Sequence, residues 1–310
     1  MLTKKLPLLV ISLVCCVVVA ELVLRYHYGF CDAVLIREDP DYEYIAQPGQ
    51  NRFRFKKHIK TNAVSMRSDE IDAAAAIILG FGDSFINGGT VTDHNSLATT
   101  LLSDTLTSLS GKKIQFLNIS AGTWGPDNCF AYLNRHGNFG ARAIFLFVSS
   151  HDAYDNMTFD KVVGVDNSFP NKQYTFALSE LMERYVIPTI KDKLAQKELG
   201  SEKTEVNKHT NSDKFNSGFS SFASYSKEFN IPLTIYLHAE QSELGAGSYN
   251  EQGKEIIEFA EGNQIPLIKD LELGLSSDEF RDYIHINDNG QRKLAARVLS
   301  YMQRNMMIGH

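Results

Sequence analysis

A serine stands where a buried apolar run ends: Ala75-Ala76-Ile77-Ile78-Leu79 leads into Gly82-Asp83-Ser84-Phe85. Near the other terminus the chain carries Asp282-Tyr283-Ile284-His285. A serine hydroxyl is a poor nucleophile near neutral pH. It needs a base to take its proton, and the base needs a partner that holds its tautomer. Asp282 and His285 can supply both groups from one loop. Either string alone is short enough to arise by chance, so order and setting carry the weight. Between them the chain alternates strand and helix patterns, as a parallel sheet requires, and ligand sites in such sheets lie at the carboxyl ends of the strands. Ser84 falls at one of those ends.

The elements that must position these groups are legible from periodicity. Apolar runs at 75–81, 114–119, 143–148, 232–237 and 266–271 read as five strands, and helical patterns at 96–109, 128–136, 214–229, 250–261 and 291–302 separate or follow them. Right-handed crossovers are the default between parallel strands. The expected fold is therefore α/β, a three-layer αβα sandwich around a five-stranded parallel sheet. One stretch breaks the rhythm: some sixty residues separate the third strand from the helix at Lys214, far more than a usual crossover. Within this insertion, around 160–212, a helix is expected at 176–197 with an interruption near Pro188, and 201–212 reads as a polar, mobile segment. It covers the site, docks a partner, or is a neutral surface excursion.

With 310 residues, 43% of them hydrophobic and 22% charged, the chain can build one full-sized α/β domain and a tail. A formal charge of -6 argues against nucleic acid as a partner, which would call for a basic footprint. Met1-Leu2-Thr3-Lys4-Lys5 is a basic start, and residues 6–20 carry no charge before Glu21 and a further apolar Leu22-Val23-Leu24. Residues 1–25 thus read as a membrane-spanning helix or a signal segment, since about 20 apolar residues cross a bilayer. Lys4 and Lys5 would stay inside, with the rest exported. Val18-Val19-Ala20 offers a signal-peptidase cut; the apolar stretch beyond it favours an uncleaved anchor.

Residues 26–72 are polar and aromatic, with turn signals at Asp39-Pro40-Asp41-Tyr42 and Gln47-Pro48-Gly49-Gln50. They read as a tether with short strands. Residues 52–60, alternating basic and aromatic, suit one solvated edge strand protected by its charge, in preference to a polyanion contact. Cys15 and Cys16 lie in the apolar segment, which leaves Cys31 and Cys129, expected as two separate buried thiols. No Cys/His cluster has zinc-ligand spacing, so neither a metal nor another cofactor is expected.

From about Ala75 to Leu299 the sequence resembles the SGNH (GDSL-like) hydrolases, flavodoxin-like α/β esterases, lipases and carbohydrate acetyl-handling enzymes. Its serine block corresponds to Phe81-Gly82-Asp83-Ser84-Phe85, and its glycine block to Asn118-Ile119-Ser120-Ala121-Gly122-Thr123-Trp124-Gly125. Asp282-Tyr283-Ile284-His285 matches the last block. The resemblance implies Ser84 as nucleophile, the Gly122 amide as an oxyanion donor, His285 as general base and Asp282 as its orienter, within a hydrolase domain at 73–310. Where the family has Gly-x-Asn-Asp, this chain has Ser149-Ser150-His151-Asp152. An imidazole N–H at His151 can still donate to an oxyanion, and one lost donor costs about 10²- to 10³-fold in rate. The other reading makes His151 a structural histidine. Asp152 and Asp83 are expected to stabilise their loops, and Trp124 either stacks on a sugar ring or packs beneath the glycine loop.

Glu21-Leu22-Val23-Leu24-Arg25, Pro48 and Met66-Arg67-Ser68 look like the membrane-tethered bacterial branch of the same superfamily, which accompanies exported polysaccharide. The expected protein is an inner-membrane, single-pass esterase facing the periplasm. It acts on a small acyl ester, an acetyl ester above all, of a carbohydrate, and its partners are polysaccharide synthesis or export proteins. Two rivals stand beside it: an O-acetyltransferase with the same triad, and a feebly active glycan-binding scaffold.

Overall fold

Strands that are apolar at every position call for a sheet covered on both faces. The computed structural model describes residues 5–191, 193 and 214–305, and places five largely apolar strands side by side. They are β5 (Ala76–Gly82), β6 (Ile114–Ser120), β7 (Ala143–Ser149), β8 (Leu233–His238) and β9 (Leu267–Lys269). All pair in parallel, in the order β6-β5-β7-β8-β9. This is the expected five-stranded parallel sheet. It has the flavodoxin-type order, with its switch point beside β5, where the chain steps first to one side and then to the other.

Alternation along β5 explains the two covering layers. Ile77, Leu79 and Phe81 face a cluster that includes Tyr132 and Leu133 of α4 (Pro126–His136), Phe219 and Phe222 of α6 (Ser217–Phe229), and Ile256 of α8 (Glu251–Gly262). Ile78 faces the other cluster, with Leu102 and Leu106 of α3 (Ala98–Ser110) and Leu294 and Val298 of α9 (Asp288–Arg304). Each fully buried Leu, Ile or Phe contributes about 1.5–3 kcal/mol by leaving water. Three of the helices begin on an asparagine cap: Asn216 accepts from Gly218 N–H at 2.8 Å, Asn250 from Gly253 N–H at 3.0 Å, and Asn287 from Asn289 and Gly290 N–H at 2.8 and 3.0 Å. Such a cap satisfies donors that the first helical turn leaves orphaned, worth about 1 kcal/mol. The Asn287 cap also ends the loop that carries His285.

Residues 26–72 form two hairpins, β1 (Ile36–Asp39) with β2 (Glu43–Ala46) and β3 (Asn51–Arg54) with β4 (Lys57–Lys60). They are packed into the domain: Tyr42, Ile45 and Met66 are fully buried in the same cluster as the sheet. Residues 52–60 are therefore not the single solvated edge strand that their alternation suggested. Phe55 and Lys56 both take positive φ, 48° and 64°, and turn the chain back on itself. Neither residue is a turn former; tertiary packing imposes the turn. The guanidinium of Arg54 lies 4.7 Å from the centres of both the Phe30 and Phe55 rings, is buried, and pairs with Glu180 at 2.7 Å.

Glu180 belongs to the insertion. There α5 (Ala177–Leu181) runs into a π-helical turn, Met182–Val186, and continues helically through 187–191. The expected interruption near Pro188 is thus a widened turn just before it. Proline has no N–H to donate and its ring crowds the carbonyl four residues back, and a π turn accommodates both. The expected polar segment at 201–212 lies outside the described residues.

At the amino terminus α1 (Lys5–Tyr28) runs three residues past the expected end of the apolar segment. Its window Pro7–Tyr28 is apolar and long enough to cross a membrane, with none of it buried, as a membrane span or a signal sequence would be. Its last turns meet the insertion: Glu21 accepts from Ala177 and Leu178 N–H at 2.7 and 2.9 Å, and Arg25 donates to Thr175 O at 2.6 Å.

Candidate active site

The loop after β5 turns directly into a four-residue helix, α2 (Ser84–Asn87), with Ser84 as its first residue. Asp83 is its cap, accepting from Phe85 N–H at 2.9 Å, which is the loop-stabilising part expected of it. Gly88, at φ 71°, ends the helix in the left-handed conformation that glycine tolerates best. Beneath α2 lies a polar lattice built on Asn118 and Ser120 of the glycine block. Asn118 donates to Ile86 O at 2.9 Å, Ser120 Oγ donates to Asn118 Oδ1 at 2.5 Å, and Asn87 donates to Ser120 O at 3.0 Å. These bonds fix the serine turn against the end of β6, where the glycine loop begins.

His285 reaches the serine from the far end of the chain. Its Nε2 lies 2.9 Å from Ser84 Oγ, and its Nδ1 lies 2.9 and 3.0 Å from the two oxygens of Asp282. An ionised carboxylate has no proton to give, so Nδ1 carries the hydrogen and Nε2 is left to accept from the serine hydroxyl. Asp282 Oδ1 also accepts from the His285 and Ile284 N–H groups at 2.8 and 3.1 Å. Partial burial opposes ionisation of Asp282, but these two amides and the neighbouring imidazole outweigh it and hold the carboxyl below its usual range.

Gly122 and His151 line the same cavity as Ser84 and His285, a space of about 860 Å³ over the carboxyl ends of the strands. The Ser84 and Gly122 amides have no acceptor among the described residues. A Cβ at Gly122 would meet nothing within 4 Å, so packing does not demand glycine there. Trp124 is buried and donates to Tyr44 O at 2.9 Å, which makes it a packing residue beneath the loop. Asp152 accepts from Ser149 N–H at 2.6 Å and so caps its turn.

His151 is less like an asparagine than its alignment implies. Its Nδ1 lies 3.3 Å from Glu240, and its Nε2 is 3.9 Å from both Asp83 and Asp152. Burial alone would lower its pKa, but Asp152, Glu240 and Asp83 together push it up to about 10. The group is an imidazolium at neutral pH. Ligand atoms of Asp83, His151 and Asp152 lie within 4.8 Å of one another, close enough to suit a cation. An imidazolium at His151 has no lone pair to offer a metal, and burial pushes the neighbouring Asp152 carboxyl well above its usual range.

Two residues absent from the sequence reading complete the surroundings. His238 ends β8 and Asp270 follows β9, both buried, with Nδ1 and Oδ2 2.5 Å apart. Their position at carboxyl strand ends was the only sequence signal available. Cys31 is half-buried and Cys129 buried, both free.

No protein-family model and no curated protein matches the chain. Among solved structures, it is similar to the lipase/acylhydrolase from Enterococcus faecalis at 12% identity, covering 74% of this chain and 96% of that one with a TM-score of 0.44. It is similar to the acetyl xylan esterase AlAXEase at 15% identity, covering 73% and 98% with a TM-score of 0.40. TesA gives 14% identity, 74% and 98% coverage, and a TM-score of 0.45.

Proposed function

We propose that this chain is a serine esterase of the SGNH type, anchored by α1, that removes a small acyl group such as acetyl from a carbohydrate. The observation that carries the reading is the unbroken line Ser84 Oγ, His285 Nε2, His285 Nδ1, Asp282, with each step at 2.9 Å. Ser84 attacks the ester carbonyl while His285 takes its proton, and the imidazolium so formed is steadied by Asp282. Developing negative charge on the carbonyl oxygen is met by the Ser84 and Gly122 amides and by the His151 imidazolium. The tetrahedral intermediate collapses as His285 returns the proton to the leaving alcohol, and the acyl-serine remains. Water then releases the acyl group, again with His285 as base.

The cavity walls mix polar and apolar groups, which suits an acylated sugar. Thr90, Asn167 and Tyr185 stand among Val34, Ile36, Phe55 and Phe169 around the space that holds Ser84. A sugar hydroxyl in place of water makes the same triad an O-acyltransferase, and product analysis with and without an oligosaccharide acceptor separates the two. The continuous triad favours an enzyme over a binding-only scaffold. With Lys4 and Lys5 on the inner side of a bacterial membrane, α1 delivers the domain to the periplasm, where polysaccharide synthesis or export proteins are its expected neighbours.

The test is reaction with a serine-directed phosphonate and turnover of an aryl acetate. Wild type labels at Ser84 and hydrolyses the ester, whereas Ser84→Ala does neither. Undiminished hydrolysis by purified Ser84→Ala ends the serine-esterase reading.

A further inference from the structure

One buried ring touches the neighbours of both proposed catalytic groups. His238 is fully buried at the end of β8. One face of its imidazole stacks on Phe85, the residue after Ser84, with centroids 4.1 Å apart and planes within 4°. The other aromatic contact is Phe280, at 5.4 Å and 27°. Its Nε2 lies 2.9 Å from the carbonyl oxygen of Ile284, the residue before His285. A carbonyl can only accept, so Nε2 carries a hydrogen and donates it.

Asp270 fixes the other side of the ring. Its Oδ2 lies 2.5 Å from His238 Nδ1, and its Oδ1 accepts from Ala239 N–H at 2.9 Å and from the Tyr249 hydroxyl at 3.4 Å. Burial opposes a charge on the ring, but Asp270 and the Ile284 carbonyl outweigh it, push the His238 pKa up and favour a hydrogen on each ring nitrogen. The ring is thereby locked in plane, with one edge bound to β9's end and the other aimed at the catalytic loop. A second backbone bond, Gln241 N–H to Tyr283 O at 2.8 Å, ties the same loop to the same end of β8.

We infer that His238, held by Asp270, is a positioning residue that sets the distance between Ser84 and His285. The inference rests on the triad reading above. Ser84 and His285 come from opposite ends of the chain, and each is adjacent in sequence to a residue that the His238 ring contacts. A shift of about 1 Å between reacting groups costs on the order of 10²-fold in rate, so the brace acts on chemistry through placement. It touches no substrate.

Glutamine and asparagine separate this role from simple packing, because a Gln amide nitrogen falls near the Nε2 position and an Asn amide nitrogen near Nδ1. His238→Gln keeps a donor for Ile284 O. His238→Asn keeps only the contact with Asp270. In the full-length protein, below its melting temperature, His238→Asn is expected to lower kcat for an aryl acetate by about 10²-fold with KM within about twofold. His238→Gln is expected to recover about tenfold of that loss. Phosphonate labelling of Ser84 should fall in parallel, and circular dichroism establishes that each variant is folded. Equal kcat in folded His238→Asn, His238→Gln and wild type overturns the inference, as does a loss that is the same in both variants. Should wild type itself show no Ser84-dependent labelling, the triad reading fails, and the positioning role falls with it.

Discussion

Removing the His151 imidazole tests the oxyanion assignment and the charge balance at one position. The ring has three carboxylates within 3.9 Å and is pushed from an ordinary 6.5 to about 10. At about 1.4 kcal/mol per pH unit, a fully buried group so shifted would stabilise the fold by roughly 5 kcal/mol. The side chain is 31% exposed, and solvent screening together with the opposing upward shift of the Asp152 carboxyl reduces this to about 2 kcal/mol. The folded pKa is raised, so that stability is fully present below pH 6.5 and is lost as pH rises through about 10. His151→Ala should therefore lower the urea midpoint at pH 7, and the difference from wild type should shrink above pH 10. On activity, loss of one oxyanion donor predicts a fall in kcat of about 10²-fold with KM little changed. His151→Asn restores a neutral donor without the charge and should recover about tenfold. The measurements are aryl acetate kinetics at pH 7 and urea unfolding at pH 7 and 10.5. A folded His151→Ala protein with wild-type kcat refutes the oxyanion role and leaves the Ser84 and Gly122 amides as sufficient donors. An unchanged urea midpoint refutes the charge-balance reasoning.

Three further outcomes are expected. His285→Ala should abolish aryl acetate turnover almost as completely as Ser84→Ala, and Ser84→Ala/His285→Ala should be no slower than either alone, because the residues act as a unit. Arg54→Met takes the bidentate partner from buried Glu180, whose remaining cation among the described residues is Arg184, and should destabilise the protein by about 1–3 kcal/mol, read as a drop in Tm; a change under about 0.5 kcal/mol would show that the pair is easily replaced. A phosphatase fused after His310 should be active in the periplasm, and activity only in a cytoplasmic reporter would reverse the assigned topology.

The residues of the proposed triad could be named from the sequence because each part carries a local signal. Asp282 and His285 share a loop, Ser84 follows an apolar run, and both strings match blocks of the SGNH resemblance. The sheet was legible for a related reason: strands buried on both faces must be apolar throughout, and Ile77-Ile78-Leu79 or Ile144-Phe145-Leu146 can be little else. Helix starts were less legible: those expected at 128, 214 and 291 lie at Pro126, Ser217 and Asp288.

What tertiary structure decided were the contacts that join distant segments, for which no short-range signal exists. Phe55-Lys56 turns although neither residue favours positive φ, because Arg54 is anchored to Glu180, 126 residues away. Trp124, open on sequence alone, is committed to packing by the Tyr44 carbonyl. His151 reads as a substitute for a neutral amide until Glu240, Asp83 and Asp152 are seen around it; a pKa depends on charges gathered from three separate loops. His238 and Asp270 carry no motif, and only the parallel order of β8 and β9 brings them together behind the catalytic loop. Sequence names groups whose chemistry is intrinsic or whose partners are near in the chain, whereas charge state and placement belong to the fold that collects their neighbours.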